Sequence, residues 1–167
     1  RMNLLTDLKK SKGNILKKEN IFSLILISTI FLLDRYSKMI IIKDFSDQKF
    51  FLNDFLNLDL IWNTGIGFGL LASNSSMLYN FITFLIGAII LTLLYIVINS
   101  KNLDKIIFSI IIGGALGNFY DRLVFKAVPD FIDLHYNNFH WFIFNIADIF
   151  ITLGIIVFIT KGFFEKN

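Results

Sequence analysis

Four long apolar stretches constrain the fold of this chain more than any other feature of its sequence. They cover approximately residues 21–42, 77–99, 106–125 and 140–161. Each approaches the roughly 20 residues that an α-helix needs to cross a bilayer. Charged residues make up only 17% of the chain, against about 25% in an average soluble domain. The sequence therefore predicts a single domain over residues 1–167, an α-helical integral membrane protein with four transmembrane helices.

The first stretch has to be distinguished from a secretory signal peptide, because Lys17 and Lys18 precede it. No small-residue cleavage site follows it. The apolar run instead resumes at residues 39–42 after a charged interruption. We interpret it as a retained membrane span.

Lysine positions predict the orientation of the spans. Lysines are concentrated before the first span, between the second and third spans, and after the fourth span. The other two loops, residues 43–76 and 126–139, contain few lysines and several aspartates. Because lysine-rich loops remain on the cytoplasmic side, both termini are expected in the cytoplasm and these two loops on the outer face.

Residues 50–72 have the pattern of β-structure and not of a helix. Apolar and polar residues alternate from Leu56 to Asn63, which is the period of a half-buried strand. A predicted turn at Gly65 is followed by glycine at every second position, so one face of a returning strand is almost bare. With a further strand at about residues 128–135, the sequence predicts a small extracytoplasmic β-sheet.

Three of the four predicted spans carry ionisable or amide side chains, whereas the second span is almost uniformly apolar. A charged group inside a bilayer costs roughly 2.5–3.5 kcal/mol or more unless it is paired or hydrated, so such residues are functional candidates. At about 1.5 Å per residue, Asp34, Asn118 and Asp148 each lie roughly 10–12 Å below the outer end of their span. We therefore expect one polar layer shared by three helices.

Within each polar span, the residues are spaced so that they share a helix face. The pairs are Asp34 with Lys38, Asn118 with Arg122, and Asn145 with Asp148. Gly113 and Gly117 add a small-residue face to the third span, which predicts close packing against a neighbouring helix.

Two aspartates are the strongest candidates for chemistry. Asp148 is a lone carboxylate in an apolar stretch, although it could instead neutralise Arg122 or Lys38. Asp130 follows the third span and, considered alone, is expected to be a solvated loop residue. Two carboxylates held close together share a proton near neutral pH, so one can deprotonate water while the other protonates an amide. The pair therefore predicts peptide hydrolysis without a metal or a covalent nucleophile.

The remaining polar residues of the spans fit structural roles better. Lys38 is expected to neutralise Asp34, and Asp121 is expected to neutralise Arg122. A serine-lysine catalytic pair of Ser37 and Lys38 is disfavoured, because adjacent helix residues point about 100° apart.

Metal and nucleic-acid sites are not predicted. The chain has no cysteine, and no His-Glu-x-x-His spacing marks a metalloprotease. His135 and His140 lie near Trp141 in the outer loop and are expected to be interfacial. The basic residues lie beside apolar spans and are not interleaved with exposed aromatic residues, so nucleic-acid binding is not expected.

Several short motifs follow one another along the chain. They are Asp34 with Ser37-Lys38, residues 63–68, residues 113–122, Asp130-Phe131 and residues 145–148. In this order and at these spacings they resemble the motifs of bacterial lipoprotein signal peptidase, also called signal peptidase II, over nearly the whole chain. Gly67 stands where the family commonly has Ala, and Pro129 stands where Val is usual.

The resemblance implies an aspartic endopeptidase that needs no cofactor and whose catalytic pair is Asp130 and Asp148. Its substrates would be diacylglyceryl-modified prolipoproteins, cleaved on the N-terminal side of the lipidated cysteine. It also implies four helices with an outer β-cradle in the bacterial cytoplasmic (inner) membrane, with the active site towards the outer face. A monomer in contact with membrane lipid is expected, as is inhibition by cyclic peptide antibiotics.

The resemblance further implies residues that bind substrate or support the catalytic pair. They are Asn63, Asn118, Arg122, Asn145, Asp34, Lys38, Gly65 and Phe68. Of these, Asp34 and Lys38 are expected to be structural support.

The alternative from another functional class is a small proton-coupled membrane transporter, in which intramembrane carboxylates relay ions. The sequence shows no inverted repeat, and the second span offers no polar pathway, so this alternative is disfavoured. A non-catalytic assembly protein would leave the shared polar layer unexplained.

Overall fold

The computed structural model describes residues 17–45, 49–65, 76–137 and 139–165 of the chain. Within these ranges the chain forms four helices and four strands, labelled here in chain order. The elements are α1 (Lys18–Asp44), β1 (Phe50–Asn53), β2 (Leu56–Asn63), α2 (Ser76–Asn99), α3 (Asn102–Phe125), β3 (Val128–Tyr136), β4 (Phe139–Phe144) and α4 (Ile146–Phe164).

Three of the described helices, α2, α3 and α4, are long and apolar enough to cross a membrane. Many of their large apolar side chains point outward, as Phe84 of α2 and Phe163 of α4 show with exposures of 74% and 69%. Apolar surface of this extent requires a lipid environment or a partner. The 27-residue helix α1 covers the first predicted span but carries Asp34, Arg35 and Lys38 within its length.

The prediction that the fourth span begins near residue 140 is wrong. Residues Phe139–Phe144 form strand β4, and α4 begins only at Ile146. A short run of aromatic and apolar residues suits a strand as well as a buried helix, so hydropathy does not separate the two. The predicted spans at residues 77–99 and 106–125 agree with α2 and α3 to within about one helical turn.

Helix α3 occupies the centre of the bundle and packs against α1, α2 and α4. A Cβ added at Gly117 would overlap the Asp34 carboxylate of α1, and Gly113 likewise faces α1. A Cβ added at Gly114 would lie 2.6 Å from the carbonyl oxygen of Ala147 in α4. The predicted small-residue face is therefore confirmed, and its close contacts bring the N-terminus of α4 against α3.

Replacing Gly114 by Ala is expected to lower the free energy of unfolding by about 1–3 kcal/mol, the usual cost of overpacking. The added methyl group would meet the backbone of Ala147, which cannot rotate away. The matched control is Gly162→Ala near the end of α4, where an added Cβ meets no described atom within 4 Å. The measurement is the thermal unfolding midpoint in detergent. Equal midpoints for the two variants would contradict the close packing of α3 on α4.

The four strands form one antiparallel sheet in the order β1-β2-β3-β4. Strands β2 and β3 confirm the predicted strands from residue 56 and over residues 128–135. The hairpin partner of β2 is β1, which precedes β2 in the chain, whereas the sequence predicted a partner after Gly65. The predicted returning strand, which includes Phe68, lies outside the described residues.

Pro129 is the second residue of β3 and pairs with Trp62 of β2. Proline lacks the N–H that a central strand donates, so it is tolerated where one edge of the strand is unpaired. Strand β4 pairs with β3 only from Ile132 onward, which leaves that edge of Pro129 without a strand among the described residues. The fixed φ of the proline then constrains the backbone immediately before Asp130.

Candidate active site

Asp130 lies on strand β3 and has only 3% of its surface exposed. Asn145 Nδ2 donates to its Oδ1 at 2.6 Å, and Asn63 Nδ2 donates to its Oδ2 at 2.9 Å. Each carboxylate oxygen therefore accepts from an amide. The expectation of a solvated loop residue, formed for Asp130 considered alone, is wrong, because pairing of β3 with β2 buries this position.

Asp148 lies in the first turn of α4, three residues after the N-cap Asn145. The two residues form a capping box, in which each side chain accepts from the backbone N–H of the other at 3.1 Å. Asn118 Nδ2 donates to Asp148 Oδ1 at 2.8 Å. The sequence predicted that Asp148 lies roughly 12 Å below the outer end of its span. Because α4 begins at Ile146, Asp148 instead lies close to the start of its helix.

Asn145 connects the two aspartates, since its side-chain amide donates to Asp130 while its Oδ1 and backbone N–H hold Asp148. Both aspartates line one cavity of about 310 Å³. The other residues around it are Asn63, Ile86, Ala115, Asn118, Arg122, Val128, Ile151, Thr152 and Ile155. The cavity therefore combines two carboxylates and their amide partners with an apolar wall.

The surroundings of Asp130 move its titration towards neutral pH. Burial, and after it the charge of the Asp148 carboxylate, raise the pKa of Asp130 from 3.8 to about 6. The hydrogen bonds from Asn63 and Asn145 oppose this shift, because they stabilise the ionised form. A carboxyl group with such a pKa can both accept and release a proton near neutrality, as acid–base catalysis requires.

Lys38 and Asp34 form the predicted pair, with Nζ donating to Asp34 Oδ2 at 2.8 Å and both side chains fully buried. The same ammonium group donates to Asn118 Oδ1 at 2.8 Å and to Asp121 Oδ2 at 2.7 Å. These contacts use all three of its donors. Because Asn118 accepts from Lys38 and donates to Asp148, the lysine fixes the orientation of the amide that holds Asp148.

Asp34 also fixes the start of α4. Its Oδ1 accepts from the backbone N–H of Ala147 at 2.9 Å. The N–H groups in the first turn of a helix have no partner within the helix, so this contact satisfies one of them. The charged motif of α1 therefore positions the turn that carries Asp148.

Arg122 holds the end of β2 against α3. Its Nη2 donates to the carbonyl oxygen of Gly65 at 2.9 Å, and its Nη1 donates to that of Asn118 at 3.2 Å. The Gly65 N–H in turn donates to Asn63 Oδ1 at 2.8 Å, which orients the amide that reaches Asp130. Arg122 Nε is buried and has no partner among the described residues.

Two alternative roles considered from the sequence are not observed. Within the described part of the chain, neither Lys38 nor Arg122 forms an ion pair with Asp148. Ser37 Oγ donates to the backbone carbonyl of Asp34 at 2.8 Å, and Lys38 has no donor left for it. These contacts support neither a purely structural Asp148 nor a serine-lysine pair.

The predicted pairing of Asp121 with Arg122 is wrong. Asp121 forms ion pairs with Lys38 and Arg35 of α1, because neighbouring residues on a helix point about 100° apart. Arg35 also lies over the ring of Tyr120, 4.7 Å from its centroid. This role of Arg35 was not predicted, although its position next to Asp34 in a charged motif was a signal for it.

Residues 26–164 match the model of the protein family described as Signal peptidase (SPase) II. The chain belongs to the signal peptidase II family. It is 47% identical over 148 residues to the lipoprotein signal peptidase of Pelagibacter ubique, covering 87% of this chain and 89% of that protein. The lipoprotein signal peptidase of Anaplasma phagocytophilum is 38% identical over 153 residues, covering 90% and 97% respectively.

A solved structure described as a bacterial membrane enzyme is also similar to this chain. It superimposes with a TM-score of 0.74 and 31% sequence identity, over 87% of this chain and 90% of that one. This similarity and the three apolar helices indicate that this member of the signal peptidase II family is a multi-pass membrane protein. Membership of a peptidase family supports peptidase activity and argues against the transporter alternative.

Most of the residues that the resemblance implied for signal peptidase II lie together in the structure. Those that line the cavity are Asn63, Asn118, Arg122, Asp130 and Asp148, and the buried Asn145 donates to Asp130. Asp34 and Lys38 lie behind them, and Gly65 lies at the end of β2. Phe68 lies outside the described residues.

Proposed function

We propose that this protein is an aspartic endopeptidase that removes signal peptides from diacylglyceryl-modified prolipoproteins. It cleaves on the N-terminal side of the lipidated cysteine. The observation that carries the proposal is the cavity shared by Asp130 and Asp148. Two carboxylates with separate sets of amide donors, one of them titrating near pH 6, are what hydrolysis by an activated water requires.

In the proposed reaction, one aspartate is ionised and the other is protonated when substrate binds. The ionised carboxylate takes a proton from water as the water oxygen attacks the scissile carbonyl carbon. The protonated carboxyl group donates its proton to the carbonyl oxygen, which gives a neutral tetrahedral diol. The aspartate that took the proton from water then gives it to the amide nitrogen as the C–N bond breaks, and a hydroxyl group of the diol returns its proton to the other aspartate. The products are a carboxylic acid and an amine, and the pair again holds one proton.

Amide and guanidinium groups around the pair are proposed to hold the substrate and the two aspartates. Asn63, Asn118 and Asn145 fix the carboxylates through the hydrogen bonds described above. Arg122 lies on the cavity wall, and its buried Nε has no partner among the described residues. We assign this guanidinium to binding the peptide backbone of the substrate, whose carbonyl oxygens accept hydrogen bonds.

An apolar groove beside the cavity fits a lipid-bearing substrate. It has a volume of about 240 Å³ and is lined by Phe142, Phe144, Asp148, Ile149, Thr152 and Leu153. Asp148 therefore borders both the polar cavity and the groove. In the proposal, acyl chains lie along this groove while the peptide occupies the cavity, so the substrate enters sideways from the bilayer.

The proposal includes the membrane arrangement that the sequence predicts. Helix α1 is the fourth span, both termini are cytoplasmic, and the sheet lies at the outer face of the bacterial inner membrane. The basis is the concentration of lysines in the N-terminal arm, the α2–α3 loop and the C-terminal tail. A monomeric enzyme, inhibited by cyclic peptide antibiotics that occupy the cavity, is part of the same proposal by resemblance to the family.

The test of substrate class compares one precursor peptide with and without its diacylglyceryl group. The purified protein in detergent is expected to cleave the modified precursor, and mass spectrometry is expected to place the cut immediately before the modified cysteine. The unmodified precursor should be cleaved much more slowly, because it cannot occupy the apolar groove. Equal rates on the two precursors would exclude lipid-dependent recognition.

Cleavage is expected to decline as the pH rises above about 6. The pKa of Asp130 is raised to about 6 beside the charge of the Asp148 carboxylate, so a rise in pH through this value removes the one proton that the pair shares and leaves no acid in it. The measurement is kcat/KM for the modified precursor between about pH 4.5 and 8. As a control, enzyme incubated at each pH should regain full activity when returned to about pH 6. A flat profile between about pH 6 and 8 would contradict the assignment.

A further inference from the structure

A second cluster of titratable side chains lies on the sheet, away from the cavity. Asp133 and His135 belong to β3, and His140 belongs to β4. One ligand atom from each of them lies within 4.8 Å of the others. Asp133 is three residues along β3 from Asp130, so the two aspartates point to opposite faces of the strand. The cluster is therefore separate from the proposed active site.

Asp133 is fully buried and lies at the centre of the cluster. His140 Nδ1 lies 2.9 Å from both of its carboxylate oxygens. Oδ2 also accepts from Lys49 Nζ at 2.9 Å and from Asn57 Nδ2 at 3.3 Å, and the same Asn57 amide lies 3.3 Å from His135 Nδ1. Lys49 and Asn57 thus orient Oδ2, and Asn57 also contacts the His135 ring. Both carboxylate oxygens face His140.

We propose that Asp133, His135 and His140 bind a divalent transition cation of the Zn²⁺ type. Two imidazole nitrogens and one carboxylate oxygen form a ligand set that suits Zn²⁺, whereas Ca²⁺ and Mg²⁺ prefer oxygen ligands throughout. Three protein ligands leave a fourth position for water. The His-Glu-x-x-His spacing that marks a metalloprotease is a helical pattern, whereas these ligands come from the paired strands β3 and β4, so the sequence did not predict a metal site.

Two further observations favour a cation at this position. The rings of His135 and His140 stack with centroids 5.3 Å apart, so a nitrogen of each ring lies close enough to share one cation. Asn57 Oδ1 is buried beside the proposed ligands and has no partner among the described residues. A water bound to the cation would satisfy it.

An open groove provides access to the cluster. It is lined by Phe51, Asp54, Phe55, His135, Tyr136 and Asn137.

A cation held in this way links β3 to β4 and, through Asn57, to β2. Asp130 lies on β3 and Asn145 directly follows β4, so the same hairpin carries both ends of the Asn145–Asp130 hydrogen bond. The proposed role of the cation is to hold this hairpin together, and no step of the hydrolysis uses it. The inference does not rest on the proposed function, because none of its ligands lines the cavity.

The test is direct titration of the full chain, stripped of metal with a chelator and lacking any histidine tag, with Zn²⁺ in detergent. We expect saturable binding of one Zn²⁺ per chain and a rise in the thermal unfolding midpoint. Co²⁺ should give the visible absorption bands of a four-coordinate site, and Mg²⁺ should produce neither effect.

Two variants identify the ligands. The chain has only two histidines and no cysteine, so His140→Gln and His135→Gln test the imidazole ligands directly. Each should weaken Zn²⁺ binding by more than the roughly 10–100-fold that follows loss of a supporting group around a metal. His140 is exposed, so its variant should fold, which circular dichroism checks.

The control is Asp104→Asn, a carboxylate in the first turn of α3 that belongs to neither the cluster nor its access groove, which should bind Zn²⁺ like the unaltered chain. Absence of saturable Zn²⁺ binding would overturn the proposal. Equal binding by the His140→Gln variant and the unaltered chain would overturn it as well. Neither outcome depends on whether the protein cleaves a precursor.

Discussion

Replacing either Asp130 or Asp148 by Asn is expected to abolish cleavage of a diacylglyceryl-modified precursor. Each carboxylate supplies proton transfer that an amide cannot provide, and general acid–base catalysis contributes roughly 10²–10⁴-fold to a rate. Asn keeps the size of the side chain and one of its two acceptor oxygens, so each variant keeps one of the two contacts that its carboxylate accepts and loses the other. The fold should therefore persist, and the loss should appear in kcat more than in KM.

The matched control for both variants is Asp104→Asn. Asp104 lies in the first turn of α3, at the end of the bundle opposite the cavity, and pairs with Lys161 at 2.5 Å. The substitution removes the same charge without touching the cavity, so cleavage should continue at the unaltered rate. Substantial turnover by either Asp130→Asn or Asp148→Asn would refute the assignment of the catalytic pair.

Replacing Lys38 by Met is expected to destabilise the fold strongly. Lys38 neutralises Asp34 and Asp121, and all three side chains are fully buried. Removing one partner of a buried ion pair leaves an uncompensated charge and costs about 3–5 kcal/mol. The measurement is the unfolding midpoint in detergent, together with the yield of folded protein from membranes.

A second variant keeps this prediction testable when the first folds poorly. Adding Asp34→Asn to Lys38→Met removes the charge that is left without a partner, since Asp121 still pairs with Arg35, and should recover part of the lost stability. The control is Lys161→Met, because Lys161 forms ion pairs with the partly exposed Asp104 and Glu165 near the end of α4, and it should leave the midpoint nearly unchanged. Similar midpoints for Lys38→Met and Lys161→Met would show that the buried cluster does not stabilise the fold.

Much of the site follows from spacing along single helices. The i, i+4 relation of Asp34 and Lys38 predicted their ion pair, and the i, i+3 relation of Asn145 and Asp148 predicted a shared face. Both are observed, as is the close packing of α3 at its glycines. Within one element, backbone geometry alone determines which side chains are neighbours.

Contacts between elements were harder to predict. Asp121 was assigned to the adjacent Arg122, but packing of α3 on α1 turns it towards Lys38 and Arg35. Such a partner depends on how two helices are rotated about their axes, which a sequence pattern does not specify. Likewise, the donors to Asp130 come from the end of β2 and from the N-cap of α4, far apart along the chain.

The boundary between β4 and α4 marks a limit of hydropathy. The segment Phe139–Phe144 is as apolar as a span, yet it pairs with β3. The change from strand to helix is marked by Asn145, whose side chain caps α4. Reading Asn145 as a helix start would have corrected the predicted span and placed Asp148 in the first turn.

The central claim, that Asp130 and Asp148 act as one catalytic unit, is tested most directly by combining Asp130→Asn with Asp148→Asn. Residues that act as a unit show strongly non-additive losses. Cleavage of the modified precursor should therefore be no slower in the double variant than in either single variant. If instead each single variant retains partial activity and the two losses multiply in the double variant, the aspartates act independently and the account is contradicted.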